Sequence, residues 1–194
     1  MKYNELKQLV EESRSTRRFK QDSNITQEDL KELVDVARIT SSAKNAQPLK
    51  YILVTNKQLV EALSQATEWA AHLENWTQSK DEMPSAFILM LNDTNIDGFA
   101  MFDAGVSYEA ISLAASAKNL DVCALASIDR EICKDLLEID YKYEVLLAIA
   151  IGEANETVKI VDVKDGDTEY FRDEQDQHCV PKRALDEVIL GTNE

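Results

Sequence analysis

The sequence is poor in the residues on which many structural and catalytic motifs depend. Its 194 residues include only five glycines, three prolines, three cysteines and two histidines. So little glycine and proline excludes collagen-like and low-complexity chains. The cysteines, Cys123, Cys133 and Cys179, have no CxxC spacing. We therefore expect no disulfide framework and, with only two histidines available, no metal site.

Positive charge and long apolar runs are also scarce. Twenty-one Lys and Arg face 36 Asp and Glu, which gives a formal net charge of −15. This field repels nucleic acids and anionic lipids, so neither is an expected partner. The longest apolar runs, near 85–91 and 145–152, are too short to span a bilayer. Met1 is followed by a charged amphipathic segment rather than an apolar leader, and we predict a cytoplasmic protein with no membrane contact.

Motifs of side-chain catalysis are missing as well. The sequence contains no GxSxG, GxxxxGK[ST], GxGxxG or HExxH pattern. His72, on a polar helix end, and His178, in a tail, are predicted to be surface residues. Cys123 lies inside an apolar strand and is predicted to be a core residue. We expect no catalytic side chain, so an enzyme of this composition would take its chemistry from a cofactor.

Hydrophobic periodicity predicts a single domain over 1–194 of the mixed α/β class, with a C-terminal arm at 153–194. Residues 153–179 are acidic and are predicted to be loop-like, ahead of a last amphipathic turn. The helix predicted near 100–120 is apolar on a broad surface and rich in small residues, so we expect it to need a partner surface. The predicted helices lie near 3–13, 26–39, 56–70, 100–120 and 130–137, and the predicted strands near 51–55, 85–91, 121–127 and 145–152.

Two basic segments stand out from the acidic background. Arg14, Arg17 and Arg18 follow the first helix together with two hydroxyl residues, and Lys182 precedes Arg183 near the C-terminus. Guanidinium groups and hydroxyl donors suit a phosphate. The alternative is that these cations neutralise nearby acids, and the spacing alone does not decide between the two interpretations.

Four segments in register resemble the FMN-dependent nitroreductase family. The sequence RSTRRF at 14–19 is similar to the family's R-S-x-R-x-F motif, and SSAKNAQP at 41–48 is similar to its P-S-x-x-N-x-Q-P loop. The DAG at 103–105 opens a long small-residue helix, and CALASID at 123–129 resembles the flavin-facing strand. The tail at 170–185 resembles that of a bacterial subgroup. Together these segments span nearly the whole chain.

The resemblance implies an α+β sandwich, with a central and mainly antiparallel sheet flanked by helices, and a homodimer with FMN at the subunit interface. It implies an oxidoreductase in which NADH or NADPH reduces the flavin, which then passes electrons to a nitroaromatic or quinone in a ping-pong cycle. The family's phosphate-binding positions match Arg14, Ser15, Arg17, Lys182 and Arg183. Its ring-binding positions match Ser41, Ser42, Asn45, Gln47 and, through the backbone near flavin N5, Ala126 and Ser127.

The sequence also departs from the family pattern. Ser41 stands where proline is common, Leu49 where an aromatic is common, and Asp121, Ala126 and Ser127 where glycines are common around the flavin-facing strand. These departures leave two alternatives open. One is a flavin-binding or storage protein without useful turnover, and the other is a structural dimer with no cofactor.

Overall fold

A computed structural model describes residues 2–73 and 76–193. The irregular stretch between the third helix and the second strand contains residues 74 and 75, which lie outside the described residues. The helices are α1 (Tyr3–Glu12), α2 (Gln27–Arg38), α3 (Lys57–Gln65), α4 (Ala100–Ala117), α5 (Arg130–Leu137) and α6 (Leu185–Val188). The strands are β1 (Leu49–Val54), β2 (Ala86–Asp93), β3 (Asp121–Leu125), β4 (Tyr143–Gly152), β5 (Val158–Asp162), β6 (Phe171–Arg172) and β7 (His178–Lys182).

The core of the fold is a four-stranded sheet with the order β1-β2-β4-β3, in which each neighbouring pair is antiparallel. Strand β2 is buried on both faces of the sheet. Its successive side chains point to opposite faces and so enter two different hydrophobic clusters. Phe87 and Leu89 pack into one hydrophobic cluster, whereas Ile88 and Met90 pack into the other. Helices α3 and α5 contribute to the first cluster, and α2 and α4 to the second. The predicted helix-flanked antiparallel sheet is therefore confirmed.

Local sequence signals fix the helix ends closely. At the start of α2, Thr26 Oγ1 accepts a hydrogen bond from the Asp29 N–H at 3.2 Å, and the Asp29 carboxylate accepts the Thr26 N–H at 3.0 Å. This reciprocal arrangement is a capping box. Asn56 caps α3 in a similar way by accepting the N–H of Leu59. Helix α3 nevertheless ends at Gln65, earlier than the apolar pattern predicts.

Several apolar side chains remain exposed on the helices. Helix α1 has no buried residue, and Tyr3, Leu6 and Val10 are all exposed. Met101 and Phe102, at the start of α4, are also exposed, although Ala104 and Ile111 of the same helix lie in the core. Within one chain, α4 buries only part of the broad apolar surface that its sequence predicts.

The prediction that residues 153–179 are loop-like is wrong. Strands β5, β7 and β6 form a second, three-stranded sheet, in which β5 and β7 are parallel and β6 and β7 antiparallel. Its strands are short and contain exposed apolar residues, Ile160 and Phe171, beside polar ones, so the segment lacks the continuous apolar runs of the first sheet. The arm is joined to the main body by backbone bonds, among them those from Lys20 N to Glu153 O at 2.9 Å and from Asn155 N to Arg18 O at 2.8 Å.

Candidate functional site

The two ends of the chain meet at a cavity of about 260 Å³, which we call the anion cavity. Its lining comes from the segment after α1, from the middle of α4 and from the arm around β7. The polar lining residues are Ser13, Arg14, Ser15, Arg17, Tyr108, Glu109, Ser112, Tyr170, His178 and Lys182. The structure thus brings together four residues predicted to hold a phosphate, namely Arg14, Ser15, Arg17 and Lys182.

The basic segment is held in place by its backbone. The Glu156 carboxylate accepts the N–H of Arg17 at 2.5 Å and that of Arg18 at 3.0 Å, and it also accepts a hydrogen bond from the Arg172 guanidinium at 2.5 Å. The Glu156 side chain is only 1% exposed. The N–H of Thr16 donates to the carbonyl of Val122 on β3 at 3.0 Å. These bonds fix the path of the chain and leave the Arg17 side chain to the cavity.

Asp121, a departure from the family pattern, has a structural role beside this segment. Its carboxylate accepts the N–H of Ala154 at 3.0 Å and a weak hydrogen bond from the Thr16 hydroxyl at 3.5 Å. Burial raises the pKa of Asp121 above its usual range, although both hydrogen bonds act in the opposite direction. Asp121 therefore joins the arm to the basic segment, and a glycine there could not.

Arg14 and Arg17 have no carboxylate partner within 4.0 Å among the described residues, which is unusual in so acidic a chain. Arg14 donates to the carbonyl of Val10 at 2.6 Å, and its buried Nε has no hydrogen-bond partner. The Arg17 guanidinium donates to the carbonyl of Ser15 at 3.3 Å and lies 4.3 Å from the centroid of the Tyr170 ring. These partners are neutral, whereas the carboxylate of Glu109 lines the same cavity and that of Glu156 binds the Arg17 backbone.

His178, predicted to be a surface residue in a tail, is fully buried. The prediction is wrong because β7 places this side chain against the basic segment, where Arg17 Nη1 lies 3.0 Å from His178 Nε2. A guanidinium can only donate, so Nε2 accepts and the ring proton belongs on Nδ1. Nδ1 is buried without a hydrogen-bond partner. Burial and the neighbouring guanidinium of Arg17 lower the pKa of His178 to about 4, so the imidazole is neutral.

The two C-terminal cations differ in their surroundings. Lys182 lines the anion cavity. Arg183 does not line it, and its guanidinium lies 3.7 Å from the Glu187 carboxylate on α6, with both side chains about half exposed. Strand β7 ends at Lys182, and Arg183 lies in the short connection to α6, one turn before Glu187. Arg183 therefore pairs with Glu187 on the surface, and Lys182 is the C-terminal cation that faces the cavity.

The loop between α2 and β1 forms a second cavity of about 160 Å³, which we call the loop cavity. Ser41, Ser42 and Gln47 line it, but Asn45 does not. The Ser42 hydroxyl donates to the Asp103 carboxylate at 2.5 Å and accepts the N–H of Gln47 at 2.9 Å. Its hydrogen-bonding capacity is largely used within the loop. Ser42 thus shapes the loop, and a ligand would find Ser41 and the Gln47 amide more available.

This loop has a strained backbone. Lys44, Asn45 and Gln47 all adopt positive φ values, of 55°, 54° and 52°. Non-glycine residues pay for this left-handed conformation, and such strain concentrates at functional sites. Asp103 supports the conformation, since its second oxygen accepts the N–H of Ala43 at 2.9 Å. The anion cavity and the loop cavity have no lining residue in common.

The remaining predicted site residues, Ala126 and Ser127, line neither cavity. They follow β3 and are exposed. The Ser127 hydroxyl donates to the carbonyl of Glu68 at 2.6 Å, and the carbonyl of Ala126 accepts a hydrogen bond from Arg130 at 3.2 Å. The end of β3 is therefore tied to the segment after α3 and to the start of α5.

The cysteines and the acidic groups offer no further chemistry. All three cysteines are free and buried. Burial raises the pKa of Cys123 to about 11, so this thiol is a core group as predicted. Across residues 2–73 and 76–193, no three His, Cys, Asp or Glu side chains are grouped as ligands for a metal ion. In the same ranges, no helix has the length and apolar character needed to cross a membrane.

Three residues that contact Arg17, namely Glu156, Tyr170 and His178, were not among the predicted site residues. Glu156 is one of 36 acidic residues and has no motif of its own. Tyr170 and His178 belong to the tail that resembles the bacterial subgroup, but neither was assigned a role. Their pairing with Arg17 depends on β7 docking against the N-terminal segment, which no local pattern reveals.

An antiparallel sheet between two helix layers defines an α+β protein, and both ends of its chain line one cavity that contains Arg14, Arg17 and Lys182. The family model described as "Nitroreductase family" matches residues 10–153. The chain therefore belongs to the nitroreductase family, and both the resemblance and the predicted class of oxidoreductase are confirmed. The match ends before the arm that supplies Glu156, His178 and Lys182.

Relatives support the same assignment. One relative is a Bacillus subtilis (strain 168) protein that carries the name NAD(P)H nitroreductase MhqN. It is 27% identical to this chain over 182 residues, which cover 77% of this chain and 88% of the relative. An FMN-dependent nitroreductase from Clostridium difficile R20291 has a TM-score of 0.65 at 22% identity, covering 81% of this chain and 91% of that chain. A nitroreductase family protein from Clostridium novyi NT has a TM-score of 0.66 at 22% identity, covering 80% and 86%. The two structural matches establish the fold.

Proposed function

We propose that this protein is an FMN-dependent oxidoreductase that takes electrons from NADH or NADPH and passes them to a small organic acceptor such as a nitroaromatic or a quinone. The observation that carries the proposal is the anion cavity. Arg14, Arg17 and Lys182 line it, and none has a carboxylate partner within 4.0 Å among the described residues, although acids outnumber bases in the chain. Cations left without a counterion suit a phosphate, which accepts several charge-assisted hydrogen bonds.

The residues present fit the cofactor in two parts. In the anion cavity, Arg14, Arg17 and Lys182 would hold the FMN phosphate, with the Ser15 hydroxyl as a further donor. In the loop cavity, Ser41 and Gln47 would face the pyrimidine edge of the ring, and Asp103 would keep the loop in shape. When bound, FMN supplies the group that accepts and releases a hydride. The chain itself contributes binding, orientation and exclusion of water.

We further propose a homodimer, because the two cavities are separate within one chain. A second copy would bring the loop cavity of one subunit to the anion cavity of the other. Exposed apolar side chains support this proposal. They lie on α1, at the start of α4 and on or just after the last helix, where Leu185, Val188 and Leu190 are exposed. Such surfaces favour a partner subunit over open solvent.

The proposal includes a ping-pong order, in which NAD(P)H and the acceptor occupy the same site in turn. The Asp103 carboxylate, in the loop cavity, accepts hydrogen bonds from the loop, and His178, in the anion cavity, accepts one from Arg17. Neither group therefore needs to take part in a cycle whose chemistry resides in the cofactor. The predicted cytoplasmic location stays a prediction.

The test is flavin content in a charge-matched pair of variants. Arg14→Ala combined with Arg17→Ala is expected to weaken FMN binding at least about 100-fold, since each charge-assisted bond contributes about 1.5–3 kcal/mol and 1.4 kcal/mol corresponds to tenfold. The control combines Lys31→Ala with Lys142→Ala. Both lysines are exposed and lie near carboxylates, 3.2 Å from Glu28 and 3.9 Å from Asp140, and the double change alters the net charge equally.

Absorbance spectra of the wild type, recorded anaerobically before and after addition of NADH or NADPH, complete the test. Bleaching of a bound-flavin spectrum is the expected result. Bound flavin that stays oxidised would instead support a storage protein. If wild type binds no FMN, or if the Arg14 and Arg17 variant binds it as tightly as the control, the phosphate assignment is wrong.

A further inference from the structure

Three neutral groups hold the side chain of Arg17, although carboxylates are abundant in this chain. They are the carbonyl of Ser15 at 3.3 Å, the Nε2 of His178 at 3.0 Å and the ring face of Tyr170, whose centroid is 4.3 Å from the guanidinium carbon. The ring of Tyr170 also packs against that of His178, with centroids 5.1 Å apart. The arm thus supplies both a hydrogen-bond acceptor and an aromatic face to one guanidinium.

The neighbouring arginines are held differently. The Arg18 guanidinium lies 2.5 Å from the Asp176 carboxylate and 3.4 Å from that of Glu82. Arg172 contacts Glu156 at 2.5 Å and Asp176 at 3.5 Å. Carboxylates are therefore within reach of this part of the fold. Glu156 even binds the backbone of Arg17, yet no carboxylate of the described residues lies within 4.0 Å of its guanidinium.

A neutral anchor has a physical consequence for ligand binding. A carboxylate at position 178 would neutralise Arg17 and compete with an incoming phosphate, whereas an aliphatic side chain would leave the guanidinium free to reorient. An imidazole that accepts through Nε2 fixes the orientation and leaves the charge in place. The ring remains neutral because its burial and the nearby guanidiniums of Arg17, Arg18 and Arg172 lower its pKa, and together they outweigh the opposing effect of the Glu156 carboxylate.

We propose that His178 is a positioning residue of the anion cavity, which holds Arg17 for a phosphate without neutralising it, and that Tyr170 supports it through its ring face. This inference rests on the proposed function, since the phosphate in question is that of FMN. It also assigns a role to the arm that lies beyond the part of the chain matched by the family model.

The experiment compares FMN with riboflavin, which lacks the phosphate, by titrating apo-protein and following flavin fluorescence. His178→Leu removes the acceptor and is expected to lower the preference for FMN over riboflavin at least about tenfold, with riboflavin affinity unchanged. His178→Gln is the matched control, because its amide oxygen can accept a bond near the position of Nε2, and it is expected to keep most of the preference. A merely structural role of His178 would weaken both flavins together.

A second pair covers the case in which His178→Leu fails to fold. Tyr170→Leu removes the ring face and should lower the preference for FMN, whereas Tyr170→Phe keeps the ring face and should retain it. The inference is overturned if the Leu variants keep the wild-type preference, or if Gln at position 178 behaves like Leu.

Inorganic phosphate separates this inference from the proposed function. If wild type binds no FMN, the proposed function fails. The positioning role then stands only if inorganic phosphate raises the melting temperature of wild type and of His178→Gln but not of His178→Leu. Equal shifts in all three proteins, or no shift in wild type, would overturn it.

Discussion

Glu156 is expected to be among the most costly carboxylates to remove from this protein. Glu156→Ala takes away the acceptor of two backbone N–H groups, those of Arg17 and Arg18, at 2.5 and 3.0 Å. It also removes the carboxylate that faces the Arg172 guanidinium at 2.5 Å. Because the Glu156 side chain is 1% exposed and that of Arg172 is 13% exposed, water cannot readily replace the lost partner.

The loss of free energy of unfolding in Glu156→Ala follows from the polar groups that stay buried without a partner. Breaking a buried ion pair by removing one partner costs about 3–5 kcal/mol, because the other charge stays buried. Each unsatisfied backbone N–H adds about 1–3 kcal/mol, but these contributions overlap and do not simply add. We therefore expect the free energy of unfolding to fall by about 3–5 kcal/mol. For a chain of this length the melting temperature should fall by roughly 6 to 20 °C.

Urea unfolding of the apo-protein measures this loss without any contribution from a ligand. Glu153→Ala is the control, because Glu153 lies 3.4 Å from Lys20 with both side chains about half exposed, and such surface pairs contribute about 0–1 kcal/mol. Glu156→Gln should fall between the two, since its amide oxygen can still accept the backbone N–H groups. A loss in Glu156→Ala within about 1 kcal/mol of the control would refute the reasoning.

Two further predictions concern the packing at the end of β4 and the titration of His178 in the arm. Gly152→Ala would place a Cβ 2.6 Å from the buried ring of Phe19, so we expect a loss of about 1–3 kcal/mol in thermal unfolding, whereas Gly191→Ala, with nothing within 4 Å, should be neutral. His178, with a pKa lowered to about 4, binds a proton when unfolded but not when folded at intermediate pH. Wild type should therefore lose about 2–3 kcal/mol more than His178→Gln between pH 7 and pH 4.5, and equal losses would contradict the neutral ring.

The first sheet and its helices could be predicted because their signals are local. Thr26 and Asn56 are N-cap residues that mark the starts of two helices. The apolar runs of β2 and β4 are continuous because both faces of these strands are buried. The second sheet could not be predicted in this way. Its strands are short, and the parallel pairing of β5 with β7 joins residues about 20 positions apart. Such pairing depends on the tertiary fold rather than on periodicity.

The candidate site likewise contains residues that the sequence predicts and residues whose place depends on the tertiary fold. The sequence indicated Arg14, Ser15, Arg17 and Lys182, and the structure places them around one cavity. It did not indicate the burial of His178, because burial depends on where β7 docks. Nor could spacing separate Lys182 from Arg183, since the local pairing of Arg183 with Glu187 depends on how α6 follows the strand. The assignment of these residues to FMN stays a prediction.

The construction of the anion cavity links ligand binding to the docking of the arm. Arg14 and Arg17 come from the first twenty residues, whereas Glu156, His178 and Lys182 come from the last forty. A ligand that requires both sets binds only the docked state, and it stabilises that state by RT ln(1 + [L]/Kd). In a chain of net charge −15, a cluster of cations with neutral supports attracts an anion against the sign of the overall charge. Under the proposed function, FMN is therefore a structural element of the arm as well as the carrier of the chemistry.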